Sequence, residues 1–229
     1  MAERGGFIGV SKCTDPSGKY FASLLFCGEN QTAEKRPAEK FIGIDFAIQG
    51  MCVFSTGESA KYPMFYRNTE KKLAQEQRKL SRCQKGSQNY KKQKKRVALC
   101  HEKTRNQRKD FQHKLSASLA ESCDAVCVED LDLKRIAGGL HFGKGVHDNG
   151  YGLFLSMLEY KLEERGKYLI KVDRYFASSK ICSVCGKKKE ELSLSERIYY
   201  CECGNRMDRD VNAAVNIMNE GKRIFAECA

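Results

Sequence analysis

The alternation of apolar and polar positions at the front of the chain reads as β structure. Phe7–Lys12 and Tyr20–Phe26 flank Asp15-Pro16-Ser17-Gly18, a strong turn signal, which predicts a β-hairpin. Asn30–Glu39 is polar and reads as a linker. Phe41-Ile42-Gly43-Ile44-Asp45 then predicts a short apolar strand ending on a carboxylate, with Met51–Ser55 as its hairpin partner. From about Asn68 to Leu119 the residues favour helix and include no proline, and Gly86-Ser87 divides the stretch in two. The second helix, from near Gln88, would run for about 50 Å at roughly 1.5 Å per residue. Its apolar residues are sparse at first (Val97, Leu99) and denser later (Phe111, Leu115, Leu119), so only its final turns are expected on a core. No a/d heptad seam is sustained, which argues against a coiled coil.

Asp124–Glu129 predicts a strand with both faces apolar, the mark of a strand inside a covered sheet, and it too closes on acids, Glu129 and Asp130. Gly138–Gly152 holds six glycines in 15 residues and reads as a mobile loop; Gly143-Lys144-Gly145 lacks the spacing of a phosphate-binding loop. A helix is expected from about Phe154 to Arg165, stopped by Gly166, and Tyr168–Val172 is a further strand before Asp173. Near the end, Val211, Ala214, Val215 and Met218 form one apolar helical stripe, placing Asp210 at or near an N-cap.

Composition alters this picture in one region. The 229 residues include 41 Lys+Arg and 29 Asp+Glu, for a net charge of +12. Arg67–Lys114 alone holds 17 basic and four acidic residues, so the rest of the chain is close to neutral. A polyanion docking on that segment is the natural reading, nucleic acid above all, with a merely solvated face as the plain alternative. The candidate phosphate contacts are Arg78, Lys79, Arg82, Lys91, Lys92, Lys94, Lys95, Arg96, Lys103, Arg105, Arg108 and Lys109. The balance of 41% hydrophobic and 31% charged residues excludes collagen-like and wholly disordered classes. No stretch has the length of a membrane span, and no export signal opens the chain, so a reducing cytosol is expected.

Of the 12 cysteines, eight show no pattern and suit small buried hydrophobes. The other four do: Cys182-x-x-Cys185-Gly186 and Cys201-x-Cys203-Gly204 are two close pairs, each trailed by glycine. That arrangement suits a tetrahedral four-thiolate structural zinc site, with two disulfides as the alternative. The acids Asp45 and Glu129 end apolar strands, and Asp210 opens a helix. Three such carboxylates can converge on a pair of Mg²⁺ ions that clamp a phosphodiester. Taken singly, acids at strand ends are commonplace, and capping would account for Asp210.

The motifs in order are Gly43-Ile44-Asp45, Val128-Glu129-Asp130-Leu131, Phe176-Ala177-Ser178-Ser179-Lys180-Ile181-Cys182-Ser183-Val184-Cys185-Gly186, and Cys203-Gly204 leading to Asp208-Arg209-Asp210-Val211-Asn212-Ala213-Ala214. Together with Asn106–Phe111 and Leu158–Lys161, they closely resemble the TnpB (OrfB) family of insertion-sequence RNA-guided nucleases, relatives of type V CRISPR effectors. The resemblance implies an α/β fold: an RNase H-like (RuvC) core with two long basic helices, an inserted zinc ribbon and a short N-terminal β-hairpin. It implies segments 1–38 (hairpin and linker), 39–176 (nuclease core, basic helical hairpin 67–119), 177–206 (ribbon) and 207–229 (final core segment). It makes Asp45, Glu129 and Asp210 the catalytic Mg²⁺ ligands and Cys182, Cys185, Cys201 and Cys203 the zinc ligands. Asp130 and Asp208 fall off the catalytic positions, and Gly138–Gly152 resembles the loop that gates the site. The expected activity is Mg²⁺-dependent DNA cleavage with a guide RNA and DNA as partners. The family pattern departs at Ala47, where Gly or Ser is frequent, and at the front, where only the last hairpin of a wedge-type domain is recognisable. A binding-only relative, or an unguided nuclease, is the alternative.

Overall fold

The computed structural model describes residues 7–26, 33–47, 50–132, 148–193 and 196–228. They divide into two compact units: residues 1–31 with 65–110, and 32–64 with 111–229.

In the first unit, β1 (Phe7–Thr14) pairs antiparallel with β2 (Tyr20–Phe26), Thr14 opposite Tyr20. The expected turn closes through Gly18 N–H to Asp15 O at 2.8 Å, with Gly18 at φ 85°, a conformation other residues adopt only with strain. Helix α1 (Phe65–Ser81) and the start of α2 (Gln88–Ser122) are separated at the expected place, where Gly86 has φ 85°. Ser87 Oγ caps α2 by accepting the N–H of Tyr90 at 3.1 Å. At 35 residues, α2 is about 52 Å long. This unit is held largely by polar contacts. Gln93, buried, donates to Glu76 at 2.6 Å across the two helices, and Arg105 pairs with Asp15 at 3.1 Å.

The second unit is built on a four-stranded sheet in the order β4-β3-β5-β6. Here β3 is Phe41–Ala47, β4 Met51–Phe54, β5 Ala125–Glu129 and β6 Tyr168–Val172. β4 is antiparallel to β3, whereas β3, β5 and β6 run parallel. Ala125 to Val128 are all fully buried, as their apolar double face requires. One face is covered by α3 (Tyr151–Glu163), whose Phe154 and Tyr151 meet Phe46 edge-on. Gly166, at φ 66°, ends the turn after it.

The other face carries α4 (Arg209–Cys228), whose Ile217 joins Ala125, Cys127, Ile170 and Val172 in one cluster. Two glycines set how closely this helix lies. A Cβ on Gly43 would collide with the Ala214 carbonyl, and one on Gly221 with the Cys127 sulfur. The buried side of α4 differs from the expected stripe. Asn212, Ala213, Ala214, Asn216 and Ile217 are buried, while Val211, Val215 and Met218 are only half-buried. The reason is that α4 faces two neighbours, the sheet and the cysteine-bearing segment. The antiparallel pair β7 (Ile198–Tyr200) and β8 (Arg206–Asp208) belongs to that segment.

The glycine-rich stretch lies outside the described residues up to position 147. Its end, Asp148–Gly150, is fastened to the sheet. Asn149 Nδ2 and Tyr151 Oη both donate to Ala47 O, at 3.2 and 2.6 Å, and Gln112 Nε2 donates to Asn149 O at 2.6 Å. The chain is thereby pinned two residues beyond Asp45. Among the described residues, no helix is long and apolar enough to cross a membrane.

Candidate functional site

Parallel pairing places two of the candidate acids side by side. Ile44 is in register with Val128, so Asp45 and Glu129 follow each other at the same, C-terminal ends of β3 and β5. The third arrives from above through α4: Ala214, one turn after Asp210, lies on Gly43, two residues before Asp45. The electrostatics record the convergence. Burial, then the charges of Asp210 and Glu129, push the Asp45 carboxyl up to about 7, against an opposing pull from Arg209. Burial also raises Glu129. Next to them, burial and the Asp45 charge push the Cys52 thiol up to about 12, so it stays protonated and inert.

Asp210 is not the cap of its helix. Asp208 Oδ1 accepts the N–H groups of Asp210 and Val211, at 2.8 and 3.1 Å, and this leaves the Asp210 carboxylate available for other work. Arg209 Nε at 3.5 Å and Arg197 Nη1 at 4.0 Å flank that carboxylate. The three carboxylates offer hard oxygen atoms of the kind Mg²⁺ takes, and the two guanidiniums beside Asp210 offset part of their negative charge.

A raised Asp45 has a thermodynamic consequence. Its carboxyl takes up a proton on folding between its unfolded value near 4 and about 7, so stability falls as pH rises through that window. Lowering the pH from 8 to 6 in Mg²⁺-free buffer should stabilise the protein by about 1 kcal/mol from this group. Asp45→Asn, which cannot titrate, should flatten the slope in thermal melts. Millimolar Mg²⁺ should raise Tm more at pH 8 than at pH 6, where it must displace the proton. Equal shifts at both pH values would count against a metal site here.

The four cysteines also meet: their sulfurs all lie within 4.8 Å of one another, so the cluster could hold a metal ion. Cys182–Cys203 and Cys185–Cys201 are 3.7 and 3.5 Å apart, far beyond the roughly 2.05 Å of a disulfide. They are close to the edge of a tetrahedron with Zn–S near 2.3 Å, about 3.8 Å. Gly186 and Gly204, at φ 74° and 90°, close the two knuckles with N–H bonds back to Cys182 O and Cys201 O. Burial would raise the Cys182 thiol, but backbone N–H groups of Cys185 and Val184 and the Asn205 amide bring it down to about 6.

The basic candidates all belong to the first unit. Along α1, α2 and the turn between them, Arg78, Lys79, Arg82, Lys91, Lys92, Lys94, Lys95, Arg96, Lys103, Arg105 and Lys109 are exposed, and Arg108 is half-buried. Within the unit Lys79 pairs with Glu76 at 2.8 Å and Arg105 with Asp15 at 3.1 Å.

Sequence reasoning passed over Asn212 and Asn216. Asn212 Oδ1 accepts Ser183 N–H at 3.0 Å and its Nδ2 donates to Ile181 O at 2.7 Å. Asn216 Nδ2 donates to Ser178 O and Ile181 O, at 2.8 and 2.7 Å. The available signal was two asparagines one turn apart inside a helix, where that residue is unfavourable unless its amide is used.

A sheet with parallel central strands that carry acids toward their C-terminal ends, together with a four-cysteine cluster that could hold a metal ion, defines an α/β protein. Residues 25–138 match the OrfB_IS605 family, described as "Probable transposase", and residues 151–217 match the Cas12f1-like TNB domain. The chain belongs to the OrfB (TnpB) family. It is 38% identical over 212 residues to a Streptomyces pristinaespiralis protein named "Putative RNA-guided DNA endonuclease", covering 93% of this chain and 52% of that one. With InsQ of Escherichia coli (strain K12), which carries the same description, identity is 28% over 91% of this chain and 56% of the relative. The chain thus spans about half the length of these relatives. Its fold is similar to that of Cas12f1 in a complex with sgRNA and target DNA (TM-score 0.57, 21% identity, 94% of this chain and 65% of the other).

Proposed function

We propose that the chain is the RNase H-like (RuvC) nuclease portion, residues 39–176 and 207–229, of a TnpB-type RNA-guided DNA endonuclease, with residues 177–206 as a zinc ribbon. What supports this reading is that Asp45 and Glu129 stand at the ends of adjacent parallel strands, and that burial first, then the charges of Asp210 and Glu129, push the Asp45 carboxyl up to about 7. Mg²⁺ held by these three carboxylates would activate a water and stabilise the leaving 3′ oxygen of a DNA phosphodiester.

The chain's own residues prepare that chemistry. Asp208 caps α4 so that Asp210 is presented, Arg209 and Arg197 balance its charge, and the Gly43–Ala214 contact holds the helix on β3. The four cysteines leave no open ligand position, so zinc there would be structural. The exposed lysines and arginines of α1 and α2 would grip phosphates and read duplex geometry rather than sequence, so binding should weaken steeply with salt.

The test is to purify the protein with its flanking locus transcribed, then assay co-purifying RNA and Mg²⁺-dependent cleavage of matching DNA. Bound RNA with cleavage of the matching target is the expected result. Bound RNA without cleavage would make the chain a binding module, and nicking without RNA an unguided nuclease.

A further inference from the structure

We propose that Asn212 and Asn216 are positioning residues that tie the first cysteine knuckle to the acid-bearing helix, so that zinc in the ribbon sets the metal affinity of the acids. The inference rests on the reading of Asp45, Glu129 and Asp210 as a metal site and of the cysteines as zinc ligands.

Both asparagines are buried inside a helix, Asn212 with no exposure and Asn216 with 4%. A buried carboxamide is costly unless its donors and acceptor are used. Here they are used on one target. Ile181 and Ser183 flank the ligand Cys182, and Asn212 binds the backbone on both sides of it, accepting from Ser183 N–H and donating to Ile181 O. One turn later Asn216 donates to the same Ile181 carbonyl and to Ser178 O. Asn212 stands two residues after Asp210 and next to Ala213 and Ala214, which lie buried against the core.

The helix start is therefore gripped from two sides. Gly43 admits Ala214 beside the strand that carries Asp45, and the knuckle holds Asn212. The knuckle takes its shape from the metal that joins Cys182 to Cys185, Cys201 and Cys203. Without zinc, the backbone on either side of Cys182 loses that constraint. The carboxamides then hold a loose loop, and Asp210 loses its fixed position relative to Asp45 and Glu129. A carboxamide that only filled space under the ribbon would affect zinc retention but not the acids.

The test uses Mn²⁺ as the probe, followed by the electron paramagnetic resonance of bound ion on the whole chain, with zinc counted by metal analysis. Zinc removal from the wild type should weaken Mn²⁺ binding about tenfold, as should Asn212→Ala with its zinc retained. Removing zinc from the double variant Asn212→Ala, Asn216→Ala should then add little, because both carboxamide ties to the knuckle are cut. Ser183→Pro deletes the N–H from the knuckle side, leaves α4 unchanged, and should show the same loss; it carries the test if Asn212→Ala does not fold. Wild-type Mn²⁺ affinity in either folded single variant overturns the coupling, as does an equal effect of zinc removal in wild type and double variant. Asp210→Asn separates the two levels. If it abolishes Mn²⁺ binding while Asn212→Ala does not weaken it, the coupling alone fails. If it leaves Mn²⁺ binding intact, the reading of the acids fails too.

Discussion

Asp45→Ala is expected to lower Mg²⁺-dependent DNA cleavage by at least about three orders of magnitude while leaving the protein folded. The rate effect follows from removing one of the three proposed metal ligands, a loss of about 4 kcal/mol or more in transition-state stabilisation. The stability effect has the opposite sign. Asp45 is held in a place that penalises its charge, by burial first and then by Asp210 and Glu129. Alanine relieves that penalty, so the Mg²⁺-free variant should melt at or above the wild-type temperature at pH 8. A functional site that costs stability is expected to behave in this way. Cleavage within tenfold of wild type would remove Asp45 from the reaction. A lowered Tm would point to a structural carboxylate instead.

The second large effect concerns the ribbon. Among the described residues its regular structure is the short pair of β7 and the start of β8, and its most buried side chains are Tyr199 and Cys182. So little apolar material cannot hold a fold by itself, whereas structural zinc contributes roughly 10–16 kcal/mol in small zinc-finger peptides. Stripping the metal, or making Cys182→Ser, should unfold residues 177–206. Backbone amides in the knuckles, such as Gly186 and Gly204, should then exchange with solvent at least about a thousandfold faster. Unchanged exchange after metal removal would show that the ribbon is held by its packing on α4 alone.

Much of the fold was legible because periodicity and punctuation agreed. The Asp15–Gly18 turn, the break at Gly86-Ser87, and the doubly apolar β5 are local signals that tertiary structure had no reason to override. The grouping of the four cysteines followed from residue type, spacing and family resemblance. What the sequence hid is what depends on two neighbours at once. The stripe through Val211, Ala214, Val215 and Met218 assumed one buried face, but α4 is covered on two, so Asn212 and Asn216 turned inward. The cap passed from Asp210 to Asp208 because β8 ends on Asp208, one residue before α4 begins. A strand running directly into a helix leaves no linker from which to read the boundary. Arg197, distant in sequence, reaches Asp210 only through that chain reversal.

The central claim is that carboxylates from β3, β5 and α4 form one metal centre. The most direct measurement is anomalous scattering from crystals grown with Mn²⁺. The account predicts Mn²⁺ peaks ligated by Asp45, Glu129 and Asp210, with Arg197 moved away from the Asp210 carboxylate. Crystals at millimolar Mn²⁺ with no peak at these three residues, and with Asp210 still paired to Arg197 and Arg209, would contradict it.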